Sequence, residues 1–66
     1  MALVELHHYD QGGQPGPSFV VNADDIETIA RAGGYARIRL LGQQNYIPTH
    51  ETYEQVIKAT GPKRIP

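Results

Sequence analysis

Short stretches in which apolar and polar residues alternate predict a β-rich chain. From Leu3 to Tyr9 the alternation puts Val4 and Leu6 on one face, as in a strand that buries one side. A second short strand is predicted at Phe19-Val20-Val21. Residues 10–17, between these strands, are mostly turn formers, so we expect an exposed Gly/Pro loop there.

The segment from Asp24 to Ala32 fits two structures. Ile26 and Ile29 have helical spacing behind a capping residue, but the same stretch also fits one tight turn followed by a strand. We favour the strand, because Gly33-Gly34 is a hairpin signal and the residues from Tyr35 to Leu40 alternate strictly.

The Gly33-Gly34 turn sets a register for the predicted hairpin. A second two-residue turn at Gly42-Gln43, with the glycine first, would carry the same register into the next strand. The two turns predict these opposed pairs: Ala32 with Tyr35, Ala30 with Arg37, Ile29 with Ile38, Thr28 with Arg39, Ile47 with Ile38, and Tyr46 with Arg39. The apolar face of this sheet comprises Ile29, Ala36, Ile38 and Leu40, and its polar face comprises Thr28, Tyr35, Arg37 and Arg39.

The last part of the chain predicts a short strand and a helix. Pro48 has no N–H to donate, so a strand from Asn45 to His50 should lie at an edge or stop pairing at that residue. Thr52 and Gln55 form a capping box, and Gly61-Pro62 ends the helix. The apolar stripe of the helix, which would cover the sheet, comprises Tyr53, Val56, Ile57 and Thr60.

These elements together predict an α+β fold, a small antiparallel β-sheet of four to five short strands with one C-terminal helix. We expect a single domain over residues 1–66, with the exposed loop at 10–17 and a loose tail at 61–66. A domain of this length buries only about 60% of its unfolded surface, and the chain has no cysteine to form disulfides. Self-association commonly supplies the missing stability, so we expect a homo-oligomer.

Charge and hydropathy narrow the range of binding partners. Six Lys and Arg residues against seven Asp and Glu residues give a net charge of −1, which disfavours a nucleic-acid partner. The apolar stretches are far shorter than the roughly 20 residues that a bilayer span needs. The first residues also lack the pattern of a signal peptide, so we expect a cytoplasmic protein with no membrane partner.

Several motifs in one order resemble the FlbD-type family of flagellar and swarming-motility proteins. They are Phe19 to Asp24, Ile26-Glu27, Ile29, Ile38 and Leu40 before a glycine turn, Tyr46-Ile47, and Glu51 to Ile57. The resemblance covers most of the chain and implies short strands followed by a capped terminal helix, with no catalytic activity. The loop at 10–17 is longer than the family's first turn, and Thr52 stands where the family usually has serine.

Two further resemblances cover less of the chain. Asp24 to Ile38 is similar to the central strands of LytTR-type DNA-binding domains, although the final basic segment of that family is missing from this sequence. Val4 to Leu6 and Arg37 to Val56 resemble the carbon storage regulator family of RNA-binding dimers, but His7 and His8 occupy the place of its basic first-strand residues.

Arg37 and Arg39 are the most informative polar residues, because they lie two apart on one strand face. Tyr35 lies beside them, and Tyr46 is predicted across from Arg39. Two guanidinium groups can bind phosphate or carboxylate oxygens, and a tyrosine ring can stack on a base or on a guanidinium. We therefore predict a ligand-binding site formed by Arg37, Arg39, Tyr35 and Tyr46, with His7 as a further candidate; the alternative is that these are solvated strand residues.

No pattern in the sequence indicates catalysis or a bound cofactor. The single serine, Ser18, has no patterned histidine or acid beside it, and no glycine-rich phosphate loop opens a helix. His7 and His8 are adjacent in a strand, so their side chains point to opposite faces and cannot bind one metal ion from a single face. Asp24-Asp25 lacks the spacing of a calcium loop. We predict no enzymatic activity, no metal and no cofactor.

Three functions fit these expectations. The first is a non-enzymatic oligomeric binding or adaptor module of FlbD type, which binds copies of itself or another protein through a strand edge and through apolar residues outside the core, such as Ile26, Leu41 and Tyr9. The second is a phage-type oligomer that sequesters or senses an anionic nucleotide. The third, ranked last, is a DNA- or RNA-binding regulator.

Overall fold

The computed structural model of the chain describes residues 2–61. Its elements, in chain order, are β1 (Leu3–His7), β2 (Ser18–Asn22), a 3₁₀ turn (Ala23–Asp25), β3 (Ile26–Ala32), β4 (Tyr35–Leu40), β5 (Ile47–Thr49) and α1 (Tyr53–Thr60). All strand pairs are antiparallel. The predicted α+β fold, with five short strands and one helix after them, is confirmed.

A single bridge joins the two small sheets. β1 pairs with β2, and β3, β4 and β5 form the second sheet with β4 in the middle. An isolated bridge between His8 and Thr49 connects them. Two main-chain hydrogen bonds support it: the Tyr9 N–H donates to the Pro48 carbonyl (3.1 Å) and the His50 N–H to the His7 carbonyl (2.8 Å). Through this bridge the strands lie in the order β2-β1-β5-β4-β3.

The ambiguous segment from Asp24 to Ala32 is a turn and a strand, as favoured. The Asn22 side chain accepts a hydrogen bond from the Asp24 N–H (3.0 Å) and so caps the 3₁₀ turn. The backbone is extended again at Ile26, where φ is −84° and ψ is 114°. A helix would have required this capped turn to continue, but the β-branched residues of β3 pair with β4 instead.

The register predicted for the first hairpin is confirmed at all four pairs. Ile29 lies opposite Ile38, Thr28 opposite Arg39, Ala30 opposite Arg37 and Ala32 opposite Tyr35. Gly33 has a φ of 66°, which few residues other than glycine adopt readily. The turn therefore needs glycine at this position, and it sets which side chains of β3 and β4 face the core.

The second turn lies one residue earlier than predicted. The Gln43 N–H donates to the Leu40 carbonyl (3.0 Å), so Leu41 and Gly42 are the central residues, and glycine comes second. Its φ of 79° fits the third position of a type II turn. The predicted pairing of Ile47 with Ile38 is nevertheless confirmed, because the remaining loop residues restore the same register.

Pro48 lies in β5, which is an edge strand of the three-stranded sheet, as predicted. β5 continues through Pro48, which pairs with Arg37, and the strand lies between β4 and the end of β1. The Pro48 carbonyl accepts from Tyr9, so the peptide groups of Pro48 face β1. Because β1 and β5 meet only at a short bridge, the missing N–H interrupts no continuous ladder.

The core lies between the sheets and the helix. Its buried hydrophobic residues are Val4, Leu6, Ala23, Ile26, Ala36, Ile38 and Val56. Ile26, expected outside the core, is only 1% exposed, because it precedes an irregularity in β3 that turns it inward opposite Leu40. Leu41 and Tyr9 are exposed, as expected. The buried Thr49 hydroxyl lies within hydrogen-bonding distance of the carbonyls of Ala36 (3.0 Å) and Glu51 (3.1 Å), so it is not left unsatisfied.

The helix is capped as predicted. The Thr52 side chain accepts from the Gln55 N–H (3.2 Å), and the Gln55 side chain accepts from the Thr52 N–H (2.9 Å). Val56 and Thr60 are buried, and Tyr53 and Ile57 are half-buried, so the predicted stripe covers the sheet. Gly61 ends the helix with a φ of 93°. The rest of the predicted tail lies outside the described residues.

The Gly/Pro loop folds back onto β1. Its residues are exposed except for Gly16, whose N–H donates to the His8 carbonyl (2.9 Å). A Cβ atom on Gly16 would lie 2.8 Å from that same oxygen. The close approach of two main-chain segments therefore requires glycine at this point.

Gly16→Ala tests this approach. We expect the substitution to lower the free energy of unfolding by about 1 to 3 kcal/mol, because main chain must shift to admit the methyl group. Gly34→Ala is the matched control, since a Cβ there meets no atom within 4 Å. Urea unfolding followed by circular dichroism measures both, and equal stability of the two variants would contradict the packing described here.

Candidate ligand-binding face

Tyr9, Tyr35, Arg37, Arg39 and Tyr46 lie on the outer side of β4 and its neighbours, and we refer to them as the tyrosine-arginine face. Alternation along β4 buries Ala36 and Ile38 completely and directs Tyr35, Arg37 and Arg39 outward. Four of the five residues predicted for the site from the sequence belong to this face. The same strand thus supplies both the centre of the core and the cationic residues.

Tyr46 contacts both arginines. Its ring centroid is 5.3 Å from Cζ of Arg37 and 5.9 Å from Cζ of Arg39. These distances fall within the range of cation–π attraction, worth about 0.5 to 1 kcal/mol at exposed sites. Tyr46 is 39% exposed, so part of the residue remains accessible to a ligand. The two guanidinium groups therefore lie near one aromatic ring, although Tyr46 precedes β5 and the predicted Tyr46–Arg39 pair is not part of the β4-β5 ladder.

Three polar groups contact the guanidinium of Arg39. Its guanidinium lies 3.1 Å from a Glu27 carboxylate oxygen, and it donates to the Thr28 hydroxyl and the Gln43 carbonyl, both at 3.2 Å. Its side chain is only 28% exposed. Arg39 is thus fixed in position, and its charge is partly offset by Glu27.

A β-bulge explains why Glu27 reaches Arg39. The register of β3 shifts between Ile26 and Thr28, so Glu27 is an extra residue that pairs with no residue of β4. A bulge breaks strict alternation and can turn two successive side chains toward one face. Sequence reasoning missed this acidic member of the site because alternation alone places Glu27 and Thr28 on opposite faces.

Arg37 has no such partner. It is exposed, and within residues 2–61 no carboxylate lies at salt-bridge distance from its guanidinium. Its recorded contact is with the ring of Tyr46. The donors of Arg37 are therefore available to an anion, in a position that the neighbouring ring helps to define.

Two further tyrosines extend the face. The rings of Tyr9 and Tyr35 stack, with centroids 4.0 Å apart and an interplanar angle of 22°. The bridge between His8 and Thr49 brings Tyr9 to this position across β5. The sequence offered no signal for this contact, since it depends on the joining of two sheets.

The structure places His7 in a different interaction. The His7 ring Nδ1 lies 2.8 Å from one Glu51 carboxylate oxygen, and the His7 N–H donates to the other (3.0 Å). Burial raises the pKa of Glu51, but the hydrogen bonds from the His7 backbone and ring outweigh it and leave this pKa below its ordinary value. His7 and Glu51 therefore join β1 to the segment between β5 and α1.

The side chains of the tyrosine-arginine face are cationic and aromatic. In the described part of the chain, no three histidine or acidic side chains converge to form a metal site. The arginines and tyrosines supply hydrogen-bond donors and aromatic surface, which suit a planar anion. Residues 2–61 also contain no helix that is both long and apolar enough to cross a membrane.

The interaction of Glu51 with His7 predicts a pH-dependent contribution to stability. Because the folded-state pKa of Glu51 is lowered from 4.5, its contribution is complete above about pH 4.5 and is lost as the pH falls through the lowered value. Glu51→Gln should lower the free energy of unfolding at neutral pH by about 1 kcal/mol, since the pair is partly solvent-screened. Below pH 4.5 the difference in the free energy of unfolding between Glu51→Gln and the wild type should shrink.

Thermal unfolding across an acid pH series measures this effect. Glu5→Gln is the control, because it neutralises an exposed carboxylate on β1 that has no recorded ion pair. A difference between wild type and Glu51→Gln that stays constant as the pH falls would mean that the carboxylate charge is not what stabilises the junction.

Comparisons with known proteins add no relative to this picture. The chain matches no protein-family model, no curated protein and no solved structure. The features of the molecule that bear on its function are therefore the tyrosine-arginine face and the edges of the sheets.

Proposed function

We propose that this protein is a non-enzymatic binding module and that its tyrosine-arginine face binds an anionic nucleotide. The observation that supports the proposal most strongly is the exposed guanidinium of Arg37, which contacts the Tyr46 ring and has no carboxylate partner in residues 2–61. An unpaired arginine beside exposed aromatic rings offers both groups that a nucleotide requires.

The two parts of a nucleotide match two parts of the face. Arg37 can donate two hydrogen bonds to phosphate oxygens, and Arg39 adds positive charge from a fixed position. The planar base can stack on the ring of Tyr46 or on that of Tyr9, the exposed member of the Tyr9–Tyr35 pair. Stacking on an aromatic residue contributes about 1 to 3 kcal/mol per base.

The charge balance favours a small ligand over a nucleic acid. The chain carries a net charge of −1, and Glu27 offsets part of the charge of Arg39. Binding to a nucleic-acid backbone draws on many cationic contacts, whereas a nucleotide needs only a local pair. A phage-type protein that sequesters or senses a nucleotide is consistent with this arrangement.

A second candidate is the FlbD-type adaptor role, in which the chain assembles with itself or with another protein. Three apolar residues support it, because they are 65%, 59% and 57% exposed: Leu3, Val20 and Leu41. Val20 lies on the edge strand β2, and Leu3 lies on β1 opposite Asn22. The predicted homo-oligomer belongs to this candidate, whereas the absence of enzymatic activity and a cytoplasmic location stay predictions that both candidates share.

Arg37→Ala tests nucleotide binding. Titration calorimetry with adenosine and guanosine triphosphates, cyclic dinucleotides and inorganic phosphate should detect binding of at least one nucleotide by the wild type. The substitution should weaken this binding by about 1.5 to 3 kcal/mol, the value of hydrogen bonds to a charged group. Arg31→Ala is the matched control, because Arg31 pairs with Glu54 and lies over Tyr53, away from the face.

Absence of heat with every phosphate-bearing compound would refute the nucleotide proposal. Equal weakening by Arg31→Ala and Arg37→Ala would show that only the net charge matters and would also count against a defined site.

Glu27→Gln should have the opposite effect. The Glu27 carboxylate competes with a bound anion for Arg39, so its removal should strengthen nucleotide binding by about 0.5 to 1 kcal/mol. Asp25→Asn is the control, since it removes a nearby exposed carboxylate that has no recorded contact with Arg39. Calorimetry with the same nucleotide measures both variants, and a similar gain from each would assign the effect to net charge alone.

A further inference from the structure

The outer edge of β2 is an unprotected strand edge. β2 pairs with β1 on one side, and in residues 2–61 no strand pairs with it on the other. Two hydrogen bonds show which residues of β2 bond to β1 through their main chain. The His8 N–H donates to the Pro17 carbonyl, and the Ala23 N–H donates to the Ala2 carbonyl. Because alternate residues of an antiparallel strand bond to the same neighbour, the N–H groups of Ser18, Val20 and Asn22 point away from β1.

The two outermost strands, β2 and β3, differ in how their free edges are protected against pairing with another strand. The β3 edge carries a bulge at Glu27 and the charged Arg31, which are common devices against unwanted strand pairing. β2 has neither, since its sequence Ser-Phe-Val-Val-Asn contains no charge, no proline and no irregularity in its pairing. An edge of this kind is suited to pairing with another strand.

We propose that β2 pairs antiparallel with β2 of a second copy of this chain, with Val20 on the two-fold axis. The two Val20 residues then exchange main-chain hydrogen bonds, and the N–H of each Asn22 donates to the Ser18 carbonyl of the other copy. This register places every side chain of β2 opposite a compatible one.

The side chains on both faces fit this register. On the outer face, Val20, which is 59% exposed, meets its own copy, and the short polar side chains of Ser18 and Asn22 meet each other. On the inner face, Phe19 lies opposite Val21 of the second copy, and both are only partly buried in one chain. Aromatic and β-branched residues form favourable cross-strand pairs.

The small core explains why a second copy, rather than another protein, is the favoured occupant. In residues 2–61 only seven hydrophobic residues are buried, and the pairing would extend this core through Phe19 and Val21 of both copies. A self-complementary uncharged edge needs no partner of different sequence.

Sedimentation velocity over a concentration series tests the proposal, with Val20→Lys as the variant. We expect the wild type to be dimeric and Val20→Lys to raise the dimer dissociation constant by about a hundredfold or more, since two like charges would meet on the axis. Leu41→Lys is the matched control, because Leu41 is similarly exposed (57%) and lies in the turn after β4. It should remain dimeric, and circular dichroism confirms that both variants fold.

Cross-linking provides a second measurement that does not depend on weakening the interface. The chain contains no cysteine, so Val20→Cys and Leu41→Cys each introduce a single thiol. A short bis-maleimide should link Val20→Cys into a dimer and leave Leu41→Cys monomeric. A monomeric wild type, a dimer that survives Val20→Lys, or equal cross-linking of both cysteine variants would overturn the proposal.

These outcomes are separate from those for nucleotide binding. Val20 lies on β2 and Arg37 on β4, which are not neighbouring strands. A monomer that binds a nucleotide would refute only the dimer, and a dimer that binds no nucleotide would refute only nucleotide binding. Either proposal can therefore fail without the other.

Discussion

The register between β3 and β4 decides which side chains enter the core and which face outward. Because side chains alternate along a strand, a shift by one residue would exchange the buried Ala36 and Ile38 for the arginines beside them. The Gly33-Gly34 turn excludes that shift, since Gly33 adopts a positive φ at the start of the turn. Core formation and presentation of the tyrosine-arginine face are therefore two consequences of one local geometry.

Within that register, a single bulge differentiates the two arginines. Glu27 pairs with no residue of β4, and its carboxylate forms an ion pair with Arg39, whose side chain is only 28% exposed. Arg37, two residues away on the same face, has no carboxylate partner within residues 2–61. An immobilised cation next to an available one is a suitable arrangement for binding an anion, because the first adds charge without loss of side-chain entropy on binding.

The junction between the two small sheets is held by polar contacts as well as by the core. His7 and Glu51 interact through both carboxylate oxygens, and the Glu51 carbonyl accepts from the Ala36 N–H (2.9 Å). The same junction brings Tyr9 onto Tyr35. The residues that complete the candidate site are thus positioned by contacts that also stabilise the fold, while the β2 edge remains apart from both.

Elements with local signals could be predicted from the order of the residues alone. The hairpin at Gly33-Gly34, the capping box of Thr52 and Gln55 and the buried stripe of α1 each follow from residues a few positions apart, and the structure confirms them. Four features come instead from the packing of separate elements: the bridge between β5 and the end of β1, the turn of Glu27 toward Arg39, the stacking of Tyr9 on Tyr35 and the pairing of His7 with Glu51. His7 and Glu51 are 44 positions apart, and no alternation or capping rule acts over that distance. Contacts of this kind form only when separate strands pack around a shared core, so their geometry is fixed by packing and not by local propensity.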